Sequence, residues 1–202
     1  MTAADATAGL KAKFASAILE EKEFRGEVSL TLRPESLREV CEHAKSVLGF
    51  DYLIDVSSVD HFGDEPRFEV VYELYSMKDG VHLRLRIAVS EDSCEVPTVC
   101  DIWPTANWHE REVYDLMGIR FKDHPDLRRI LMWEGYPYHP LRKDFPLEGK
   151  PSEVAELAFS DVAPLAGGPF VTVPTDGTTQ VREPRARHAG EPPVTEKFLE
   201  EP

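Results

Sequence analysis

His109, Glu110, Glu112, Asp115, His124 and His139 fall inside one stretch, 103–146. Their types and spacing come nearest to catalytic or metal-binding chemistry in this sequence. His109 followed by Glu110 begins like the helical zinc site of a metalloprotease, where a second histidine four residues later brings two imidazoles onto one metal from adjacent turns. Here that position is Val113. His109 and Glu112 still lie one turn apart, so a small metal-dependent hydrolase using His109, Glu112 and His124 or His139 is the enzyme reading. The simpler reading makes Glu110, Arg111, Glu112 and Asp115 a charged helix face, with Arg111 and Asp115 at the i,i+4 spacing of a helical ion pair.

His124 and His139 each precede a proline, which holds the backbone extended. Hydrogen bonds that pin an irregular loop are their expected role, with a pH-sensitive contact as the alternative. Arg128, Arg129, Arg142 and Lys143 could form an anion site. Beside Trp133, Tyr136 and Tyr138, however, they have the composition of protein-interface anchors, which is the preferred reading. Trp103 and Trp108 are expected in the core. Cys41, Cys94 and Cys100 make neither an even framework nor a CxxC pair. That argues against a disulfide scaffold and against a zinc or iron–sulfur site held by thiolates of this chain. No GxGxxG, Walker A or GxSxG motif occurs, so nucleotide binding and nucleophilic catalysis have no foothold. Catalytic, cofactor and metal residues are therefore all expected to be absent.

These side chains need a fold to position them, and the periodicity predicts one. Leu10, Phe14 and Ile18 at four-residue spacing predict a first amphipathic helix. Val28, Leu30 and Leu32 alternate as a strand. Pro34 opens a second helix of about fifteen residues, with Leu37, Val40, Cys41, Ala44, Val47 and Leu48 as its apolar stripe and Gly49 as its stop. Tyr52, Ile54 and Val56 begin another strand, and FGDEP at 62–66 is its turn. Phe68, Val70, Tyr72 and Leu74 then oppose Arg67, Glu69 and Glu73. After KDG at 78–80, Val81, Leu83, Leu85, Ile87 and Val89 return as the second arm of a hairpin. From Pro97 a helical pattern places Val99 and Trp103 on one face. Thr105 caps a further helix that ends at Gly118. The order predicts an α+β fold: a two-layer, mixed but mostly antiparallel sheet of four or five strands covered by helices, followed by an extended irregular tail.

Length and charge fit that division. The 202 residues carry 23 Lys and Arg against 37 Asp and Glu, a formal charge of −14, which excludes a phosphate-backbone binder. More than half of the 16 prolines lie after residue 145. The domain is therefore expected over 1–145 and a proline-rich tail over 146–202, either a disordered end or a strap that folds along another protein. No apolar run approaches a membrane span and the first residues lack a signal-peptide pattern, so a reduced, cytosolic setting is expected. Any membrane association would be indirect.

The same segment closely resembles the family of the thirty-kilodalton subunit, or C subunit, of respiratory complex I, the proton-pumping NADH:quinone oxidoreductase. Glu110, Arg111, Glu112, Asp115, Leu116, Met117, His124, Arg128, Ile130 and Leu131 satisfy every position of its signature, and HPLRKDFPL from His139 to Leu147 is similar to the family's text. The resemblance implies a scaffold subunit of the peripheral arm in a hetero-oligomer. It implies no cofactor in this chain, FMN and iron–sulfur clusters in partner subunits, and the B, D, G and I subunits as neighbours. It also implies a peripheral place on the cytoplasmic side of the cell inner membrane. Glu110, Arg111, Glu112, Asp115, His124, Arg128, Arg129, His139, Arg142 and Lys143 would then be signature and interface residues. A subunit of a membrane-bound hydrogenase or of a ferredoxin-dependent relative would use the same fold.

Overall fold

Alternation of apolar and polar residues builds the centre of the sheet as the sequence predicts. The computed structural model describes residues 2–133 and 135–146. Strands β4 (Phe68–Ser76) and β5 (Val81–Val89) form the antiparallel hairpin. Phe68, Val70, Tyr72, Leu74, Leu83, Leu85 and Ile87 are fully buried on one of its faces. On the opposite face Arg84 pairs with Glu73, its register partner, and Arg86 with Glu69. Arg67, expected on that polar face, is instead buried, because it meets the equally buried Asp60 across the 62–66 turn.

Five strands complete the sheet in the order β1-β2-β5-β4-β3, where β1 is Ile18–Phe24, β2 Glu27–Leu32 and β3 Tyr52–Asp60. Only β2 and β5 run parallel in it, with Leu30 opposite Leu85 and Leu32 opposite Ile87. The expected mixed, mostly antiparallel α+β architecture is present. Helices α1 (Ala3–Phe14), α2 (Leu37–Ser46) and α3 (Ala106–Met117) accompany it.

Several local expectations are corrected. Ile18 does not extend α1 but opens β1, an edge strand whose ILEEKEF sequence is exposed along nearly its whole length and so shows no alternation. Arg25 and Gly26, both at positive φ, turn it into β2. Pro34–Ser36 is a 3-10 turn that leads into a shorter α2, and Val47 lies outside the buried stripe. A register shift between Leu53 and Asp55 reverses the phase of β3. Leu53 and Val56 are therefore both buried while Tyr52 is exposed. The stretch after Pro97 is a set of turns, and Glu95–Pro97 (β6) pairs in parallel with Arg120–Lys122 (β7). Thr105 precedes α3 without a side-chain cap, whereas Gly118 ends it in the left-handed conformation at φ 77°. Apart from Pro146, the tail expected over 146–202 lies outside the described residues.

Candidate partner-binding site

Helix α3 and the segment after β7 are held together by one carboxylate. Asp115 is fully buried, and its Oδ2 accepts the consecutive backbone N–H groups of Ile130 (3.0 Å), Leu131 (2.7 Å) and Met132 (2.8 Å). Its Oδ1 accepts Arg129 Nη1 at 2.6 Å. Burial by itself would raise the Asp115 pKa, but the three amides and the guanidinium outweigh it and hold the carboxyl below its usual range. Arg129 also donates to the carbonyls of Asp115 (2.9 Å) and Tyr138 (3.1 Å). The i,i+4 pair expected between Arg111 and Asp115 is thus replaced. Arg111 turns the other way and donates Nε to the Arg128 carbonyl (3.1 Å) and Nη2 to the Arg129 carbonyl (3.0 Å).

Nor is Glu110 part of a charged face. It is fully buried and accepts hydrogen bonds from the Thr98 hydroxyl, the Val99 amide (2.8 Å) and the Cys100 thiol (3.3 Å). Burial raises its pKa, and these donors offset only part of that effect. Glu112 is the exposed member of the four. Trp108, expected in the core, is 61% exposed with Arg111 over its ring, whereas Trp103 is buried and donates Nε1 to the Phe50 carbonyl at 3.2 Å.

Both histidines pin loops. His124 Nδ1 accepts the Asp126 amide at 3.0 Å, so the proton sits on Nε2, which donates to the Asn107 carbonyl at 3.3 Å. His139 Nδ1 donates to the Asp115 carbonyl at 3.0 Å. Burial depresses both pKa values, favouring neutral rings. Arg142 donates Nε to the Met117 carbonyl at 2.6 Å and lies over the Phe68 ring at 5.0 Å. These two side chains close on the end of α3 so tightly that a Cβ at Gly118 would sit 2.6 Å from both Arg142 Nη2 and His139 Nε2. Of the basic group proposed as anchors, Arg129 and Arg142 therefore serve the fold. Arg128 is exposed beside Asp126, and the exposed Lys143 contributes its backbone amide to Asp60 at 2.8 Å.

The hydrolytic metal site is not assembled. His109 Nδ1 faces Asp55 at 3.1 Å, Glu112 faces outward, and His124 and His139 reach different carbonyls. Among the described residues, the side chains with metal-like proximity are Cys100, Glu110 and His124, whose ligand atoms lie within 4.8 Å of one another. Their hydrogen bonds oppose a metal. Burial pushes the Cys100 thiol up to about 12. A metal on His124 Nε2 would move the ring proton to Nδ1, directly against the Asp126 N–H.

Sequence reasoning missed a second hub. Arg67 makes a two-point contact with Asp60 (3.0 Å each) and reaches Glu91 at 2.6 Å and Asp144 at 3.0 Å. It lies over the rings of Phe62 and Phe68, at 4.9 and 4.8 Å. Contact with Asp60 raises the Arg67 pKa against the effect of burial, and Asp60 is lowered in turn. Seven residues separate the pair across a turn, and Asp144 is 77 residues away, so no local pattern announces it.

Residues 30–151, which contain both α3 and the pinned loop, match the family model for the respiratory-chain NADH dehydrogenase, 30 Kd subunit. The chain belongs to that family. Similar proteins include the NADH-quinone oxidoreductase C subunit of Geotalea uraniireducens, 53% identical over 71% of this chain and 88% of that protein. The corresponding C subunit of Geobacter metallireducens is 51% identical over 69% of this chain and 87% of its own length. Among solved structures, the trypsin-resistant fragment (1–134) of Nqo5 superposes with a TM-score of 0.55 at 36% identity, covering 60% of this chain and 98% of the fragment. A chain of an archaeal respiratory membrane complex, the membrane-bound sulfane sulfur reductase, shares the fold, with a TM-score of 0.62, 24% identity, and 71% and 85% coverage. In this family member Glu110, Arg111, Asp115 and His124, expected as signature residues, are internal fasteners of α3 to its neighbouring loops.

Proposed function

We propose that the chain is a non-catalytic scaffold subunit in the peripheral arm of an NADH-quinone oxidoreductase. The observation that carries this reading is the family match over 30–151 together with relatives above 50% identity named as the C subunit of that enzyme. The geometry supports a scaffold role, because the acids and histidines of the signature fix backbone rather than converge on one cavity. In this reading FMN and iron–sulfur clusters in partner subunits carry electrons from NADH to quinone while protons are moved. The B, D, G and I subunits are the neighbours. Membrane association on the cytoplasmic side of the cell inner membrane comes through the complex, consistent with the lack of a helix long and apolar enough to cross a membrane among the described residues. Residues 146–202 dock along those partners, gaining order from contact area.

The test is affinity purification of the tagged full chain from its own cells, with the co-purifying subunits identified and NADH:quinone activity measured in membranes lacking the gene. Recovery of the peripheral-arm subunits, loss of activity on deletion, and weaker recovery after truncation beyond Lys150 are the expected results. A chain that purifies alone, with membrane activity unchanged by its deletion, would overturn the reading.

A further inference from the structure

Between α3 and the pinned loop lies a cleft of about 360 Å³ lined by Arg111, Tyr114, Leu127, Arg128, Arg129 and Gly135. Three of the six are arginines, and no carboxylate is among the described residues that line it. Arg111 and Arg129 are fixed by carbonyls and by Asp115, so their guanidinium planes are pre-set. Arg128 is 72% exposed and pairs with Asp126, itself 53% exposed, at 2.9 Å, a surface ion pair of small net strength that a partner carboxylate can replace. Two exposed apolar side chains sit on the same segments: Trp108, with Arg111 over its ring, is 61% exposed, and Leu131, three residues beyond Arg128, is 60% exposed. Trp, Arg and Leu around a donor-lined recess are the composition of an interface hot spot.

We propose that this cleft receives a carboxylate side chain, Asp or Glu, from an apolar-flanked segment of a partner subunit. The inference rests on the assembly role proposed above and adds the chemistry of the partner. A carboxylate matches the forked donors of guanidinium groups, and Trp108 and Leu131 would exclude water around it and so strengthen the contact. The rest of the chain reinforces the choice of place. At a net charge of −14 the chain as a whole disfavours an acidic partner, which favours docking where arginines gather. Asp126, paired with Arg128 at 2.9 Å, is the intramolecular competitor for one of these donors.

The experiment uses the full tagged chain in cells. Photo-crosslinking from Leu131→p-benzoylphenylalanine locates the neighbouring segment, and Arg128→Gln and Arg128→Glu test the charge. Arg128 suits this purpose because its backbone carbonyl, not its side chain, holds Arg111. The expected result is a crosslink to a partner segment containing Asp or Glu. Arg128→Glu should then reduce co-purified partner on the order of tenfold or more and Arg128→Gln by less, with the melting temperature unchanged. Changing the crosslinked acid to Lys should restore recovery with Arg128→Glu. Crosslinks to lipid, only to this chain's own residues or to no protein would overturn the proposal, as would undiminished recovery with Arg128→Glu. If instead the wild-type chain recovers no partner, the assembly role itself has failed.

Discussion

Replacing Asp115 by Asn tests whether one carboxylate holds the 128–132 segment to α3. The substitution keeps size and shape but removes the charge and turns one oxygen into a donor. Four hydrogen bonds converge on the native carboxylate, three from consecutive amides and one from Arg129. An amide side chain has one oxygen for the two groups, so it leaves either the three amides or the Arg129 Nη1–H that met Oδ1 facing an NH2 group, while Arg129 keeps only its carbonyl acceptors. Arg129 is only 15% exposed, and removing one member of a buried ion pair typically costs about 3–5 kcal/mol. Hydrogen bonds to a charged group contribute about 1.5–3 kcal/mol each but are not additive. A loss of about 3–5 kcal/mol is therefore expected, on the order of 10 °C in melting temperature for a chain of this size. Urea unfolding of the full chain at pH 7 measures it, and limited proteolysis should show new cleavage within 128–142. The pH dependence provides a second readout. Because the folded pKa of Asp115 is depressed, its contribution is complete above the unfolded value of about 3.9 and is lost as pH falls through the folded value. Asp115→Asn should flatten that acid limb. A loss below about 1 kcal/mol with an unchanged acid limb would show that the fold does not depend on this hub.

Five further outcomes follow from the geometry. Gly118→Ala combines a left-handed backbone with a Cβ 2.6 Å from Arg142 and His139. It should cost about 2–4 kcal/mol by thermal unfolding, and a loss within 0.5 kcal/mol would contradict that crowding. His124 and His139 have folded pKa values below the unfolded value of about 6.5. The unfolded chain thus binds more protons at mildly acidic pH, so stability should rise between about pH 5 and 7, and His139→Gln should reduce that slope in urea titrations. Titration of the full chain with Co²⁺ should give no thiolate-to-metal absorption band, since Cys100, Glu110 and His124 are committed to hydrogen bonds; a band lost in Cys100→Ser would refute this. Arg67→Met strands the buried Asp60 and should destabilise by about 3–5 kcal/mol. Asp144→Ala, which removes one outer contact, should cost less than about 1 kcal/mol in the same melts.

The hairpin, the second strand and the buried stripe of α2 were legible because each buries one face of a regular element, and burial writes a period into the sequence. Where that condition fails, the reading fails. β1 is an edge strand exposed nearly throughout, so nothing selects alternation in ILEEKEF. The shift after Leu53 inserts a residue into β3 and reverses its phase. In the site, the sequence marked the right segment but assigned the wrong partners. Glu110, Arg111 and Asp115 look like a solvated helix face because their residue types are charged. Their partners are backbone groups of residues 98–100 and 128–132, and carbonyls and amides carry no sequence signal. A charged residue read by type alone defaults to the surface, and α3 has no apolar stripe wide enough to overturn that default.

That commitment of charged side chains to backbone shows how the recognition surface proposed above could be carried on a loop without regular structure. Residues 123–145 contain no ladder of their own among the described residues, and an unrestrained loop of that length would lose much of its binding energy to ordering. Asp115, Arg111, His124, Arg129, His139 and Arg142 each bond main-chain groups on α3, its flanks or this loop, and Arg67 with Asp60 secures residues 143–144. The ordering entropy is thus met on folding rather than on association. Exposed residues such as Trp108, Arg128 and Leu131 are consequently held outward on this frame. Arg142, which lies outside the arginine cleft, should therefore make no contact with the partner yet be required for its binding: Arg142→Ala should lower stability and partner recovery together, whereas Arg128→Gln lowers recovery alone. Equal melting temperatures for the two variants would break this division of labour between frame and contact.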